Sequence, residues 1–373
     1  MARDSAIEWT THTFNPWRGC TKVSAGCAHC YAESFSGRNP KTLGVWGPNG
    51  TRVVAAPSAW REPLKWDKAA KDAGERHRVF CASLADVFED WQGPMADAEG
   101  ERLYFPNNSW EDRRPWVPVS DCGGDEKPIA MQDVRNRLFR LIADTPNLDW
   151  LLLTKRPEHI AKMMPEDWVG IREQKGIGYA HYQNHPPRNV WLGTSVENQA
   201  AADERIPHLL RVPAAVRFLS CEPLLGPVDL SKWFAHPQLT GLGCHVGIVG
   251  DKWRPGIDWV VVGGESGPGA RPMHPDWARS IRDQCQAAGV PFFFKQHGEY
   301  VENLPGIAKF QDWGRLGIDG QWIAYPSDRD TIVNPTKQLP PDSVCLARVG
   351  KKNAGRLLDG REWNEFPEVK GGV

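Results

Sequence analysis

Six short runs of consecutive apolar, β-branched and aromatic residues recur through the 373-residue chain, and they limit its fold more than any other feature. They are "RVFCASL" (78–84), "LDWLLLTK" (148–155), "NVWLGTS" (189–195), "VRFLSCE" (216–222), "IDWVVVGGE" (257–265) and "VPFFFKQ" (290–296). A strand with one wet face alternates apolar and polar residues. A strand covered on both faces does not, and that is the situation in parallel sheets. Helical patterns lie between the runs. Met131, Val134, Leu138, Leu141 and Ile142 fall on one face of a helix expected over 128–144. "HPDWARSIRDQCQAAG" spaces Trp277, Ile281 and Cys285 four apart and offers Gly289 as a C-terminal stop. A third helix, in "VENQAAADERIPHLLRV", is expected to be interrupted by Pro207. Strand–helix alternation implies a parallel sheet with right-handed crossovers, so the expected fold class is α/β, a partial parallel (β/α) barrel.

Three polar, irregular stretches read as insertions, near 99–128, 165–188 and 234–257. The barrel with these insertions is expected to fill residues 1–300. Residues 301–373 are expected to be a loop-rich C-terminal extension with an extended segment at "NPTKQLPPDS". Leu357, Leu358, Trp363 and Phe366 would pack that extension on the barrel.

Composition bounds the function. The formal net charge is −1, so no global positive field draws the chain to nucleic acid or to an anionic membrane. Eighteen tryptophans mostly serve cores, with a minority left as stacking faces. No apolar run approaches the ~20 residues of a membrane span. The N-terminal "MARDSAIEWTTH" lacks a signal's apolar stretch, so a cytoplasmic protein with no membrane partner is expected. In that compartment nine cysteines favour metal or redox chemistry over a disulfide framework. Cys81, Cys122, Cys221, Cys244, Cys285 and Cys345 are scattered singly and read as small buried hydrophobes.

The other three, Cys20, Cys27 and Cys30, lie in "FNPWRGCTKVSAGCAHCYAESF". Gly19, Ser24, Ala25, Gly26 and Ala28 around them allow a loop to wrap an inorganic centre. A structural zinc site closes with four protein ligands and would have to recruit His12, His29 or a remote cysteine. A [4Fe–4S] cluster takes one ligand per iron, so three cysteines leave one iron open to a small molecule. Iron–sulfur ligation is weighed above structural zinc, and both stay open on the residues alone.

A second line comes from the carboxyl ends of the expected strands, which surround the reaction site in parallel barrels. They carry Ser83 and Asp86, then Thr154, Lys155 and Arg156, then Thr194, Ser195, Glu197 and Asn198. Ser220 and Glu222, Glu265 and Ser266, and Lys295, Gln296 and His297 follow. One charged group after a strand is ordinary solvation; six successive polar strand ends suit a polar ligand. Lys155, Arg156 and Lys295 are the candidates to hold a carboxylate or phosphate. The glycines of "GGESGPG" fit neither the dinucleotide fingerprint nor a phosphate loop, and a tight turn explains them as well as a ligand contact does.

The three-cysteine loop before an α/β barrel resembles that of the radical S-adenosylmethionine (SAM) enzymes. Their usual spacing is Cys-x3-Cys-x2-Cys; here the second interval matches and the first is six. "IEWTTHTFNPWRGCTKVSAGCAHCYAE", "LLLTKRP", "GTSVENQ", "FLSCEPLLGPV", "VVVGGESGPGARPMHPDWA", "FFFKQHGE" and "KKNAGRLLDG" resemble a family of phage and prophage proteins of uncharacterised function, which is grouped with radical SAM enzymes. The resemblance implies a radical SAM-type barrel with a [4Fe–4S] cluster on Cys20, Cys27 and Cys30, SAM on the open iron, and a 5′-deoxyadenosyl radical that abstracts hydrogen from a polar substrate. It also implies a bacterial host cell and a reductase or other electron donor as partner. His29 takes the motif's aromatic position, and Tyr31 follows the last cysteine. Gly263, Gly264 and Glu265 resemble the segment that contacts the SAM amino group, although they follow a late strand here. Glu222 and Glu265 would accept from the SAM ammonium or ribose. With Ser83, Asp86, Thr154, Lys155, Arg156, Thr194, Glu197, Ser220 and Lys295, these form the expected cofactor-binding set. The substrate expected is polar: a nucleic acid base is one candidate, and a small nucleotide and a peptide stay open beside it. The alternative is a non-catalytic zinc-bearing phage protein that binds protein or nucleic acid.

Overall fold

The computed structural model describes residues 5, 7–105, 116–118, 127–169, 187–234, 247–249, 252–254, 256–302, 313–325 and 342–368. The principal elements in chain order are β1 (His12–Thr13), α1 (Tyr31–Arg38), α2 (Glu62–Ala73), β2 (His77–Cys81), α3 (Met131–Ala143) and β3 (Leu148–Thr154). They continue with β4 (Val190–Ser195), α4 (Gln199–Leu210), β5 (Val216–Cys221), β6 (Trp259–Gly263), α5 (Pro275–Ala288) and β7 (Phe292–Gln296). The seven strands make one parallel sheet in which spatial order follows chain order, from β1 to β7. The α/β class with a parallel sheet expected from the apolar runs is therefore the observed fold. β1 and β7 stand at the two ends of that strand order. The six runs became β2 to β7. The first strand, only two residues long, gave no periodic signal.

The chain divides into two compact units, Met1–Gly193 with Arg211–Val216 and Gly371–Val373, and Thr194–Leu210 with Arg217–Lys370. In the first unit, β1 lies beside β2 with His12 opposite Val79, and β2 beside β3 with Cys81 opposite Leu152. Trp150, Leu151 and Leu152 are fully buried, as continuous apolarity requires. Phe14 meets Trp60 at 5.3 Å and Trp150 at 5.7 Å between ring centroids, both edge to face. Helix α3 buries Met131, Val134, Leu138, Leu141 and Ile142, the face expected from their spacing. Its Asp133 carboxylate accepts from the Ala130 N–H at 2.8 Å and so covers a donor exposed at the helix start.

In the second unit, Trp277, Ile281 and Cys285 of α5 are buried, and Gly289 ends the helix at φ 67°. The His274 ring accepts from the Asp276 N–H at 3.2 Å at its start. Helix α4 runs through Pro207 rather than breaking there. Within its last turn the proline removes a single intrahelical bond.

The C-terminal extension differs from the loop-rich reading. Tyr300–Glu302 (β8), Trp313–Leu316 (β9), Trp322–Tyr325 (β10) and Val344–Arg348 (β11) form an antiparallel sheet in the order β8-β11-β9-β10. The signal was the Asp319–Gly320 turn, where Gly320 takes φ 89° and Gly317 N–H bonds Gln321 O at 2.9 Å. Residues 334–341 of "NPTKQLPPDS" lie outside the described residues. Phe366 packs on Trp259 at 5.4 Å and Phe293 at 5.5 Å, and Trp363 on Phe292 at 5.8 Å. Leu358 is buried, whereas Leu357 is 54% exposed and takes no part in that docking.

Of the three irregular stretches, the first pairs Leu103–Tyr104 with Val117–Pro118, and the third pairs Gly247–Val249 with Lys252–Arg254. Residues 170–186 of the second lie outside the described residues. Among the single cysteines, Cys81, Cys221 and Cys285 are buried as expected. Cys345 is half-buried, on β11 of the antiparallel sheet. Cys122 and Cys244 lie outside the described residues. No helix among the described residues is long and apolar enough to cross a membrane.

Candidate functional site

The cysteine loop leaves β1 and lies against the chain that follows β2. Asn15, 3% exposed, donates to Ser83 Oγ at 3.1 Å and accepts the Leu84 N–H at 2.7 Å. The Gly19 N–H bonds Leu84 O at 3.0 Å. Gly19 sits at φ 109°, and a Cβ there would lie 2.4 Å from Thr51 O, so only glycine passes. Lys22 Nζ donates to Ala28 O at 3.2 Å and ties the two arms of the loop together. Cys30 precedes α1, and Tyr31 Oη donates to Ser83 O at 2.7 Å, pinning the start of that helix beside β2. His29 is exposed. His12, one of the two residues considered for closing a zinc site, lies buried in β1, bonded to His77 at 3.1 Å and stacked on Trp66 at 4.4 Å.

Asp86 organises the strand ends beneath the loop. Its carboxylate accepts Thr154 Oγ1 at 2.6 Å, the Lys155 N–H at 3.0 Å, Arg156 Nη1 at 2.9 Å and the Phe88 N–H at 3.0 Å. Arg156 reaches onward, donating to Thr21 O at 2.6 Å and to Cys20 Sγ at 3.6 Å. Four residues expected at the site from two strand ends, Asp86, Thr154, Lys155 and Arg156, are thus brought together with the first cysteine. Arg156 is engaged by this network, so it does not stand open to a ligand carboxylate or phosphate. Sequence reading missed Glu89 and Arg52, both buried. Arg52 Nε and Nη2 grip Glu89 at 2.7 Å each, and the Thr21 N–H reaches the same carboxylate at 2.9 Å. Nothing in their spacing marks the pair, because 37 residues separate them.

Burial pushes the Cys20 thiol up to about 12; Asp86 and Glu89 add to the rise and Arg156 opposes it. Burial also raises Cys30, against the N–H groups of Glu33 and Ala32 and the charge of Lys155; neighbouring Cys27 raises it further. Seven described cysteines are free thiols, these three among them. Three thiols with adjacent cations match the donor chemistry of a cluster with three protein ligands, since thiolates and cluster sulfides carry negative charge. Among the described residues, however, no three His, Cys, Asp or Glu side chains are gathered closely enough to hold a metal ion. A centre held by Cys20, Cys27 and Cys30 therefore requires the loop to draw its sulfurs together.

The remaining candidates lie in the second unit. Thr194 and Ser220 are buried at the ends of β4 and β5. Glu197 is clasped by Arg205 at 2.7 and 3.3 Å, with both side chains buried. Glu265 is held by the Arg271 side chain at 2.8 and 2.6 Å and by its N–H at 2.8 Å. Both carboxylates, members of the expected cofactor-binding set, are paired with an arginine a few residues on, Glu197 with Arg205 of α4 and Glu265 with Arg271 of the loop before α5. Lys295 donates to Glu222 at 2.5 Å, and this half-buried pair spans the ends of β5 and β7. Gly263 lies beside it, where a Cβ would stand 3.4 Å from the Glu222 carboxylate. Gly264 has a packing role: a Cβ there would meet His297 O at 2.1 Å.

A model of one family, described as "Protein of unknown function (DUF5131)", matches residues 4–95 and 99–367. The chain belongs to that family. The matched segments contain the cysteine loop and every candidate residue named above. No curated protein and no solved structure matches the chain.

Proposed function

We propose that the chain is a radical SAM-type iron–sulfur enzyme, with Cys20, Cys27 and Cys30 as the ligands of a [4Fe–4S] cluster, SAM as second cofactor and a nucleic acid base as substrate. One observation carries the reading: a loop bearing three thiols and no fourth is bonded through Gly19, Thr21 and Tyr31 to the chain at the carboxyl ends of β2 and β3. That end is where parallel α/β enzymes place their chemistry. When bound, the cluster supplies the electron for reductive cleavage of the SAM carbon–sulfur bond, which no side chain can provide. The chain's own residues do the positioning. Asp86 fixes Arg156, which holds the loop by Thr21 O and offers Cys20 sulfur a charged donor. Lys155 balances charge near Cys30. A base reaches such a site from a single strand or after extrusion from the stack, and an electron-donor protein is the required partner.

Anaerobic reconstitution tests the proposal. The expected result is about four irons and four sulfides per chain, each of Cys20→Ala, Cys27→Ala and Cys30→Ala losing the cluster absorbance. Reduction in the presence of SAM should yield 5′-deoxyadenosine. A chain that takes up no iron and carries about one zinc would overturn it in favour of a zinc-bearing binding module.

A further inference from the structure

Beside the cysteine loop, in the same unit, a cleft of about 460 Å³ is lined by Thr21, Glu89, Asp90, Trp91, Arg156 and His159 among others. Its size is that of a small-molecule site. The buried charges of its wall are already satisfied. Arg156 donates to Asp86, Thr21 O and Cys20, and both Glu89 oxygens are held by Arg52. The wall therefore leaves no cation for a phosphate or a carboxylate. What it offers is acceptors. His159 Nδ1 lies 3.0 Å from Phe88 O, and a carbonyl only accepts, so Nδ1 carries the proton; in the neutral ring Nε2 is an acceptor, with the Glu158 carboxylate 3.8 Å from it as a further one. Asp90 adds an exposed carboxylate, of which Oδ1 accepts from Gln92 Nε2 and Oδ2 is the acceptor offered to a ligand.

The flat element of the cleft is Trp91, and the structure holds it rigidly. The Arg52 guanidinium covers one face at 4.0 Å from the ring centroid, and the indole N–H donates to Pro94 O at 3.3 Å. Gly93 packs against the ring so closely that a Cβ would fall 2.3 Å from Trp91 Cζ2. A fixed aromatic ring with acceptors beside it matches a planar heterocycle bearing an exocyclic amine.

We propose that this cleft binds an amino-bearing nucleobase, of the cytosine or adenine type, stacked on Trp91 with its amine donating to His159 Nε2 and Asp90. Sugar and phosphate stay outside. The inference deepens the substrate class of the enzyme proposed above. It needs no cluster, so the two readings fail separately.

The test is calorimetric binding of nucleosides to the full-length chain, before and after iron reconstitution. Cytidine should bind at least about tenfold more tightly than uridine, and adenosine than inosine, because the oxo partners bring an acceptor to acceptors. Trp91→Ala should weaken the amino nucleosides at least about tenfold. Gly93→Ala, at a glycine of the cleft wall whose added Cβ would meet the Trp91 ring, should weaken them by displacing the ring while the circular dichroism spectrum is unchanged. His159→Phe should erase most of the cytidine-over-uridine preference. Equal affinity for amino and oxo partners, no binding of either amino nucleoside, or binding indifferent to Trp91→Ala would overturn the proposal. SAM carries an adenine and should compete as adenosine does; displacement of cytidine by SAM at concentrations at least about tenfold below those adenosine needs would overturn the proposal, because the methionyl arm would then be bound too and the cleft would be the cofactor's.

Discussion

At the scale of single residues, the structure separates side chains by whether their charge is already answered. Arg156 was legible as a strand-end cation, from "LTKRP" alone. That it braces the cysteine loop through Thr21 O and Cys20 was not, because Asp86 and the loop reach it from 70 and about 135 residues away. Glu197 and Glu265 show the reverse: their sequence setting suggested ligands, and local arginines claim them. One half-buried carboxyl has a measurable consequence. Burial raises Asp258 from 3.8 to about 6, and the Arg217 N–H, at 2.7 Å, and the Arg217 charge recover only part of the cost. A raised carboxyl holds its proton more tightly in the folded chain. Its stabilising contribution is therefore full below pH 3.8 and is lost as pH rises through about 6. Asp258→Asn keeps an acceptor for Arg217 N–H and removes that loss. Urea unfolding should find the variant more stable than the parent by up to about 3 kcal/mol at pH 7 and equal to it near pH 4. A constant difference across that range would count against this account.

At the scale of elements, periodicity served well where a segment's fate depends on its own faces. The buried stripes of α3 and α5 and the strands β2 to β7 are written in spacing. It served poorly where an element exists only because of its neighbours. Strand β1 has two residues and stands because β2 accepts it, and the short strands β8 to β11 stand by pairing with each other. The cysteine loop belongs between these cases. Its thiols are evident in the sequence, but its course is set by contacts with segments that lie far along the chain. Gly19 is the point where that course is most constrained. Gly19→Ala should cost about 1–3 kcal/mol of stability, since the residue must hold positive φ and its Cβ collides with Thr51 O. It should also lower iron uptake on reconstitution, whereas Gly37→Ala in α1, with nothing within 4 Å of the added Cβ, should leave uptake unchanged. Iron analysis of the two variants side by side checks this.

For the whole molecule, the charge balance sets how nucleic acid is met. With 45 basic and 46 acidic residues, the chain offers no broad field to a duplex. Recognition of a base, as proposed, would rest on the cleft rather than on phosphates. Fluorescence anisotropy should accordingly find weak duplex binding with a shallow salt dependence, corresponding to fewer than about three released counterions. A steep dependence would indicate a basic surface that the overall charge conceals.

The sequence by itself determined the α/β class, six of the seven sheet strands, three of the five principal helices and the three grouped thiols, because all of these depend on residues close along the chain. Only the tertiary structure decided which strand-end charges are paired off, where the loop is anchored, that the C-terminal extension carries its own antiparallel sheet, and that Trp91, Asp90 and His159 share a cleft. Some of these outcomes, such as the anchoring of the loop by Arg156, turn on contacts between segments tens of residues apart, and others, such as the Glu197–Arg205 pair, on side-chain reach that spacing does not show. Burial and pairing strengths there are set by the assembled surroundings, which spacing along the chain does not encode.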